Sequence, residues 1–206
     1  MGVTSQIRVR MAAPEDREAI QKLLVEAYEE YEHLLPEGRW AEYREELRES
    51  AMDDRPLARI IAECAGEIVG AVQLYVSAEA AYGMPELDIH TPIVRYLSVL
   101  PKARGKGVAT GLIKESVRLS RELGASALHL HTTDIMASAI KLYERLGFER
   151  VPEKDIQSGP TLVKSYRLYL DHAGILQRCK NPVPAIVFRP PPCSAATCAG
   201  RGTRPK

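Results

Sequence analysis

Arg104, Gly105, Lys106 and Gly107 stand in a row between a β-rich run and a long amphipathic pattern. Of all the stretches in the chain, this one is best equipped to hold an anion. The run Arg95-Tyr96-Leu97-Ser98-Val99 ends at Leu100-Pro101, and the amphipathic pattern begins at Val108. A turn so placed lies at a helix N-terminus, where backbone N–H groups lack intrahelical partners and the dipole favours negative charge. Glycines there allow unusual dihedrals and a close approach of main chain to phosphate, and Arg104 and Lys106 bring positive charge. The chemistry this suits is a pyrophosphate cradle. On glycine spacing alone, an ordinary surface turn accounts for the same letters. Two familiar nucleotide motifs are excluded. Lys106 is followed by Gly107 rather than by the Ser or Thr of a P-loop, and the third glycine of a dinucleotide fingerprint is missing.

Other residues could move protons or hold charge. His129 and His131 alternate with Leu128 and Leu130, so both imidazoles fall on one face of a strand. Glu86, Asp88 and His90 form a second pool of titratable groups, ahead of the run that ends at Val99. Glu29, Glu30 and Glu32 follow an amphipathic helix, either as a solvated face or as an anionic lip for an amine. Neither Ser98 nor any cysteine belongs to a recognisable triad, which argues against a covalent nucleophile.

The elements that must position these groups can be read in order. Gln6 to Arg10 alternates as a strand. Pro14 opens a helix with Glu15 and Asp16 in its first turn, and Ile20, Leu23, Leu24, Ala27 and Tyr28 form its apolar face. Trp40, Tyr43 and Leu47 mark a second helix ending near Ala51. The runs Leu57 to Cys64 and Ile68 to Val76, joined by Ala65-Gly66-Glu67, predict a β-hairpin. Ala78 to Pro92 carries Gly83, Pro85 and Pro92 and is expected to be a loop before the strand Ile93 to Val99. A helix from Val108, closed by Gly124, is followed by a strand over Ala127 to Thr132 and a helix over Met136 to Leu146, closed by Gly147. Strands around Phe148 to Val151 and Thr161 to Leu170 complete an order β-α-α-β-β-β-α-β-α-β-β, which defines an α/β fold.

The 206 residues fit one domain with an appendage, and 45% hydrophobic with 27% charged residues describes an ordinary globular protein. No apolar run is long enough to span a membrane, no signal-peptide pattern opens the chain, and the four cysteines form no paired framework. The expected setting is therefore cytoplasmic and reducing, without a membrane partner. Of the 28 Lys and Arg residues, six follow His172 with no Asp or Glu among them, leaving 22 basic against 27 acidic residues before it. Residues 172–206, which include Pro190-Pro191-Pro192, read as a basic, Pro-rich and disordered tail. Nucleic-acid binding through that tail is not expected. Cys179, Cys193 and Cys198 are spaced poorly for zinc, and no metal is expected.

Two segments together resemble the GCN5-related N-acetyltransferase (GNAT) family. Arg104-Gly105-Lys106-Gly107-Val108-Ala109, following Leu97-Ser98-Val99-Leu100-Pro101, is similar to its acyl-CoA motif, Arg/Gln-x-x-Gly-x-Gly/Ala. Ala139-Ile140-Lys141-Leu142-Tyr143-Glu144-Arg145-Leu146-Gly147-Phe148 is similar to a second signature, Ala-x-x-Leu-Tyr-x-x-x-Gly-Phe. The resemblance runs from Ile7 to about Leu170. It implies a mixed, mostly antiparallel central sheet flanked by helices, over a domain of residues 1–171. It also implies acetyl-CoA as co-substrate and direct transfer of its acetyl group to a primary amine, of a small molecule or a protein. Leu97, Ser98 and Val99 would run beside the pantetheine arm, with an N–H near Val99 facing the thioester oxygen. Amides of Gly105, Lys106, Gly107, Val108, Ala109 and Thr110 would hold the pyrophosphate, aided by Arg104. Tyr143 matches a tyrosine that protonates the departing thiolate. Two departures stand out: Met136 replaces an asparagine that contacts the cofactor in many members, and His131 occupies the position of a glutamate base in some. His131 is the preferred base, since an imidazole titrates near working pH. A non-catalytic acyl-CoA sensor of the same fold remains the alternative, and a homodimer is compatible with either. No motif identifies the acceptor.

Overall fold

Alternation along the strand Ala58–Cys64 (β2) decides the layering. Ile60 and Ala62 are buried in one apolar cluster and Ile61 in another, so the sheet is covered on both faces. The computed structural model describes residues 6–170. The expected tail, with its three cysteines, lies outside them.

The sheet also contains Arg8–Met11 (β1), Glu67–Tyr75 (β3), Ile93–Val99 (β4), Ala127–Thr132 (β5), Glu149–Arg150 (β6), Ile156–Ser158 (β7) and Thr161–Tyr169 (β8). Its strand order is β1-β2-β3-β4-β5-β8-β6, with β7 pairing β8. Every pair is antiparallel except β4 with β5. This is the mixed, mostly antiparallel sheet that the sequence implied.

Helices Arg17–Tyr28 (α1) and Arg39–Met52 (α2) cover one face through Ile20, Leu24, Leu47 and Ala51. Val108–Glu122 (α4) covers the other through Val108, Leu112 and Ile113, with Tyr143 and Phe148 in the same cluster. Burying each of these large aliphatic side chains contributes roughly 1.5–3 kcal/mol. Ala137–Arg145 (α5) completes that side.

The predicted hairpin forms as β2 and β3, turning through Ala65 (φ 53°) and Gly66 (φ 82°). Three local expectations needed correction. Pro14–Asp16 is a 3-10 turn, and the α-helix starts at Arg17. The segment read as a loop from Ala78 to Pro92 contains a short helix, Ala78–Tyr82 (α3), with the Ser77 hydroxyl accepting from the Ala80 N–H and Gly83 closing it in the left-handed conformation. A third strand, β7, lies between β6 and β8, where the sequence had suggested only a loop; it turns back into β8 through Gly159 and Pro160. Each was hidden by proline or glycine, whose breaker signal outweighs a very short periodic run.

Candidate active site

The sheet opens along one strand. β4 pairs with β5 only at Ile93↔His129 and Val94↔Leu130, so from Arg95 onward one edge of β4 has no strand beside it. Its other edge stays bonded to β3 as far as Val99↔Gly70. Free main-chain N–H and C=O groups on such an edge are ready to pair with an extended ligand. The register between β3 and β4 slips by one residue, with Ser98 opposite Ala71 and Arg95 opposite Gln73. Tyr96 sits in that bulge at φ 53°, a conformation costing a non-glycine residue about 1–3 kcal/mol. The Ser98 hydroxyl donates to the Tyr96 carbonyl at 3.0 Å, and Arg95 Nη2 donates to the Tyr96 hydroxyl at 2.9 Å, so the strained residue is held from both sides.

Beyond the open edge lies the N-terminus of α4. Gly105 and Gly107 have φ values of 72° and 81°, the left-handed geometry for which glycine was expected. A Cβ on either would meet nothing within 4 Å, so the requirement is conformational rather than one of space. Gly70 has the opposite reason. A Cβ there would lie 2.6 Å from Val108 Cγ1 and 3.2 Å from the Ser98 carbonyl oxygen, so its absence lets α4 close onto β3 and β4.

A cleft of about 460 Å³ runs between this helix end, the open edge of β4 and the start of α5. Leu97, Ser98, Val99, Arg104, Gly105, Gly107, Val108, Ala109, Thr110 and Tyr143 all line it, as do His131 and Met136. Lys106 does not; its ammonium donates to the Lys102 carbonyl at 2.9 Å. Arg104 crosses the end of the cleft, donating to the Val99 carbonyl at 3.1 Å, to Glu30 at 2.6 Å and to the Ala27 carbonyl at 3.3 Å. Glu29, Glu30 and Glu32 are exposed, as a solvated face would be, and Glu30 has a further role at the end of the cleft, which it lines. It orients Arg104, whose guanidinium holds the carboxyl below its usual range.

Tyr143 is buried, its ring packed against Phe148 at 5.7 Å, and Gly147 (φ 88°) lets the chain double back so that the Phe148 N–H reaches the Tyr143 carbonyl at 3.0 Å. Burial pushes its phenol well above the ordinary value, so it is protonated at working pH. His131 has both ring nitrogens engaged. Nε2 lies 2.9 Å from the Lys154 carbonyl oxygen, an acceptor only, so this nitrogen carries the proton. Nδ1 then accepts from the Tyr82 hydroxyl at 3.1 Å. Burial pushes the imidazole below its ordinary value, partly offset by the Lys154 carbonyl. The ring is neutral, but its one lone pair is already taken by Tyr82. His129 does not line either cleft; it bonds Thr91 at 2.9 Å and burial lowers it to about 4. His90 and Asp88 bond each other at 2.8 Å on the exposed surface, and with Glu86 they line neither cleft.

A second, larger cleft of about 1120 Å³ adjoins the first. Tyr28, Arg95, Tyr96, His131, Thr132 and Met136 line both, so the two spaces meet at the bulge of β4. Its other walls include α2, Leu34 to Pro36 ahead of it, Tyr75 of β3, Tyr82 of α3 with Met84 beyond it, Thr133 and Ile135, and β7 with β8. Tyr82 and Gly70 were not singled out from the sequence, Tyr28 was read only as part of a helix's apolar face, and Arg95 only as the start of the run ending at Val99. The only signals available were a lone glycine within a strand and a charged residue at the start of an apolar one.

A strand opened beside its parallel neighbour and a glycine turn at a helix N-terminus form a site for an extended, anion-bearing ligand, the arrangement that the resemblance to acetyltransferases implied. The model of the acetyltransferase (GNAT) family matches residues 17–148, and the chain belongs to that family. Among curated proteins it is similar to a probable N-acetyltransferase family 8 member 5 of Mus musculus, at 33% identity over 44% of this chain and 37% of the relative. It is also similar to an N-acetylaspartate synthetase of Danio rerio, at 37% identity over 38% of this chain and 28% of that protein. The chain thus spans well under half the length of these relatives. Among solved structures, a PaiA N-acetyltransferase of Thermoplasma acidophilum in complex with coenzyme A shares the fold with a TM-score of 0.63 at 14% identity, over 79% of this chain and 99% of that one. No helix among the described residues is long and apolar enough to cross a membrane.

Proposed function

We propose that the chain transfers the acetyl group of acetyl-CoA to a primary amine by direct attack. The observation that carries this reading is the open edge of β4, Arg95 to Val99, lying beside the glycine turn of α4 in one cleft with Tyr143. Acetyl-CoA is a long chain with a pyrophosphate part-way along it. The free β4 edge suits its amide-bearing arm, and the amides between Gly105 and Thr110 suit its pyrophosphate, with Arg104 adding a charge-assisted bond once turned from Glu30. A main-chain N–H near Val99 would stabilise the thioester oxygen as negative charge develops there.

The amine nitrogen attacks the acetyl carbonyl carbon, the C–N bond forms, the C–S bond breaks with its electron pair leaving on sulfur, and the nitrogen gives up one N–H proton as the thiolate gains one, leaving amide and free thiol. An amine with a pKa near 10.4 must first lose a proton. With Nδ1 of His131 accepting from Tyr82, the proton's route is from amine to the Tyr82 oxygen while the Tyr82 proton moves to His131. His131 is then the end of a relay rather than the direct base. Tyr143, protonated and made a weak acid by burial, contributes as an O–H donor to the developing thiolate.

Release of free thiol from acetyl-CoA across a panel of amines tests the reading. Amine-dependent release, with the acetylated amine as product, is expected. Tight binding of acetyl-CoA with no release for any amine would favour the alternative, a non-catalytic acyl-CoA sensor, for which Met136 at a position of cofactor contact is the supporting feature.

A further inference from the structure

Arg95 is a guanidinium without a carboxylate. It lies among three phenol rings, 4.5 Å from the centres of Tyr82 and Tyr96 and 5.7 Å from that of Tyr75. Its guanidinium donates to the Ala81 carbonyl and to the Tyr96 hydroxyl. Burial raises the phenols of Tyr75, Tyr82 and Tyr96, so all three rings are neutral at working pH. Other cations on the second cleft are matched: Arg39 pairs with Glu46 at 2.8 Å and Arg55 with Asp53 at 2.6 Å. Arg95 forms no ion pair among the described residues, yet it lines both clefts where they meet. Leaving a mostly buried charge without a counter-ion is costly, and a guanidinium presents a planar fork that fits a carboxylate. The cleft offers apolar surface from Leu34, Leu35, Met84, Ile135 and Val163; of the carboxylates that also line it, Glu46 and Asp53 are paired with Arg39 and Arg55, and Glu49 is the third.

We propose that Arg95 binds a carboxylate of the acceptor, so that the acceptor is a carboxylate-bearing amine with an apolar body, of the class of free amino acids with large apolar side chains. This rests on the transferase reading above and adds the acceptor's second anchor. The amine reaches the thioester from the second cleft, its carboxylate is held at the bulge by Arg95, and its side chain occupies the apolar volume.

Matched pairs test it with the intact protein: phenylalanine against phenylalaninamide, leucine against leucinamide, and 6-aminohexanoate against its amide. Rates are referred to the neutral-amine fraction. At least one acid is expected to exceed its amide in kcat/KM by about tenfold or more, chiefly through KM, the discrimination a charge-assisted hydrogen bond supplies. Arg95→Gln should bring that acid-to-amide ratio toward one and Arg95→Lys should retain part of it; the ratio cancels any general loss of fold or turnover. Acetylation of amides as good as that of acids in all three pairs, or a ratio unchanged in Arg95→Gln, would overturn the assignment while leaving the transferase reading intact. No thiol release with any amine, despite acetyl-CoA binding, would remove the transferase reading and this assignment with it.

Discussion

The two clefts that meet at Tyr96 are built from different materials. The first is mainly backbone: the open edge of β4, and a helix N-terminus reached through Gly105 and Gly107. The second is side chain, assembled from α2, α3, the bulge of β4 and the β7–β8 hairpin. A backbone site constrains only conformation, so few residue types can occupy its turns and the sequence there is narrow. A side-chain site can be lined in many ways, and its residues come from segments far apart in the chain. The first cleft is therefore suited to a donor common to a whole family, and the second to an acceptor particular to one member.

Substitutions can separate the two. The largest effect is expected at Tyr143, which lines the first cleft and is proposed above as the O–H donor to the thiolate. Tyr143→Phe should lower kcat roughly 10²-fold or more while calorimetry shows acetyl-CoA binding unchanged. Equal loss of binding would mean the ring only packs. Gly107→Glu places a side chain at φ 81° and a negative charge at the helix N-terminus. Left-handed strain and the dipole together give about 2–3 kcal/mol, so acetyl-CoA should bind on the order of 100-fold more weakly. Wild-type affinity in this variant would show the cradle to lie elsewhere.

Gly70→Ala probes how the donor cleft is held shut from behind. Its methyl group would enter Val108 and the Ser98 carbonyl, so chemical denaturation should show a loss of about 1–3 kcal/mol, with weaker donor binding. An unchanged midpoint would mean α4 can shift freely. The smallest effect belongs to the relay. Tyr82→Phe and His131→Gln should each lower kcat/KM about tenfold, the worth of one hydrogen bond, and the double variant should be little worse than either. The relay needs neutral His131. Because burial lowers this imidazole, falling pH should leave its contribution intact down to about 6.5, the ordinary histidine value, and remove it only below. The rate should climb on the alkaline side as the acceptor amine loses its proton. Additive losses in the double variant would separate the two residues.

Legibility followed the same division. Val99, Arg104, Gly105 and Gly107 could be read because a strand end, a glycine turn and a helix start are local in sequence and each has a physical signature. Tyr143 was reached differently, through the resemblance of Ala139 to Phe148 to a family signature, with Gly147 read only as the end of its helix. Arg95 and Tyr82 could not be read, since their meeting depends on a one-residue slip between β3 and β4 and on a five-residue helix inside a segment punctuated by Gly83 and Pro85. Glu30 was visible only as a charge; that it pairs with Arg104 is a contact across 74 positions of chain. His131 was identified as a titratable group, but both its hydrogen-bond partners are distant in sequence, so its availability as a base was not.

The central claim is that the donor is held by main-chain amides of the first cleft. Hydrogen–deuterium exchange with and without acetyl-CoA measures those amides directly. Slowed exchange is expected at Leu97 to Val99 and at Gly105 to Thr110, with α2 and α3 unchanged. Protection confined to the walls of the second cleft, or none at Gly105 to Thr110 under saturating acetyl-CoA, would contradict it.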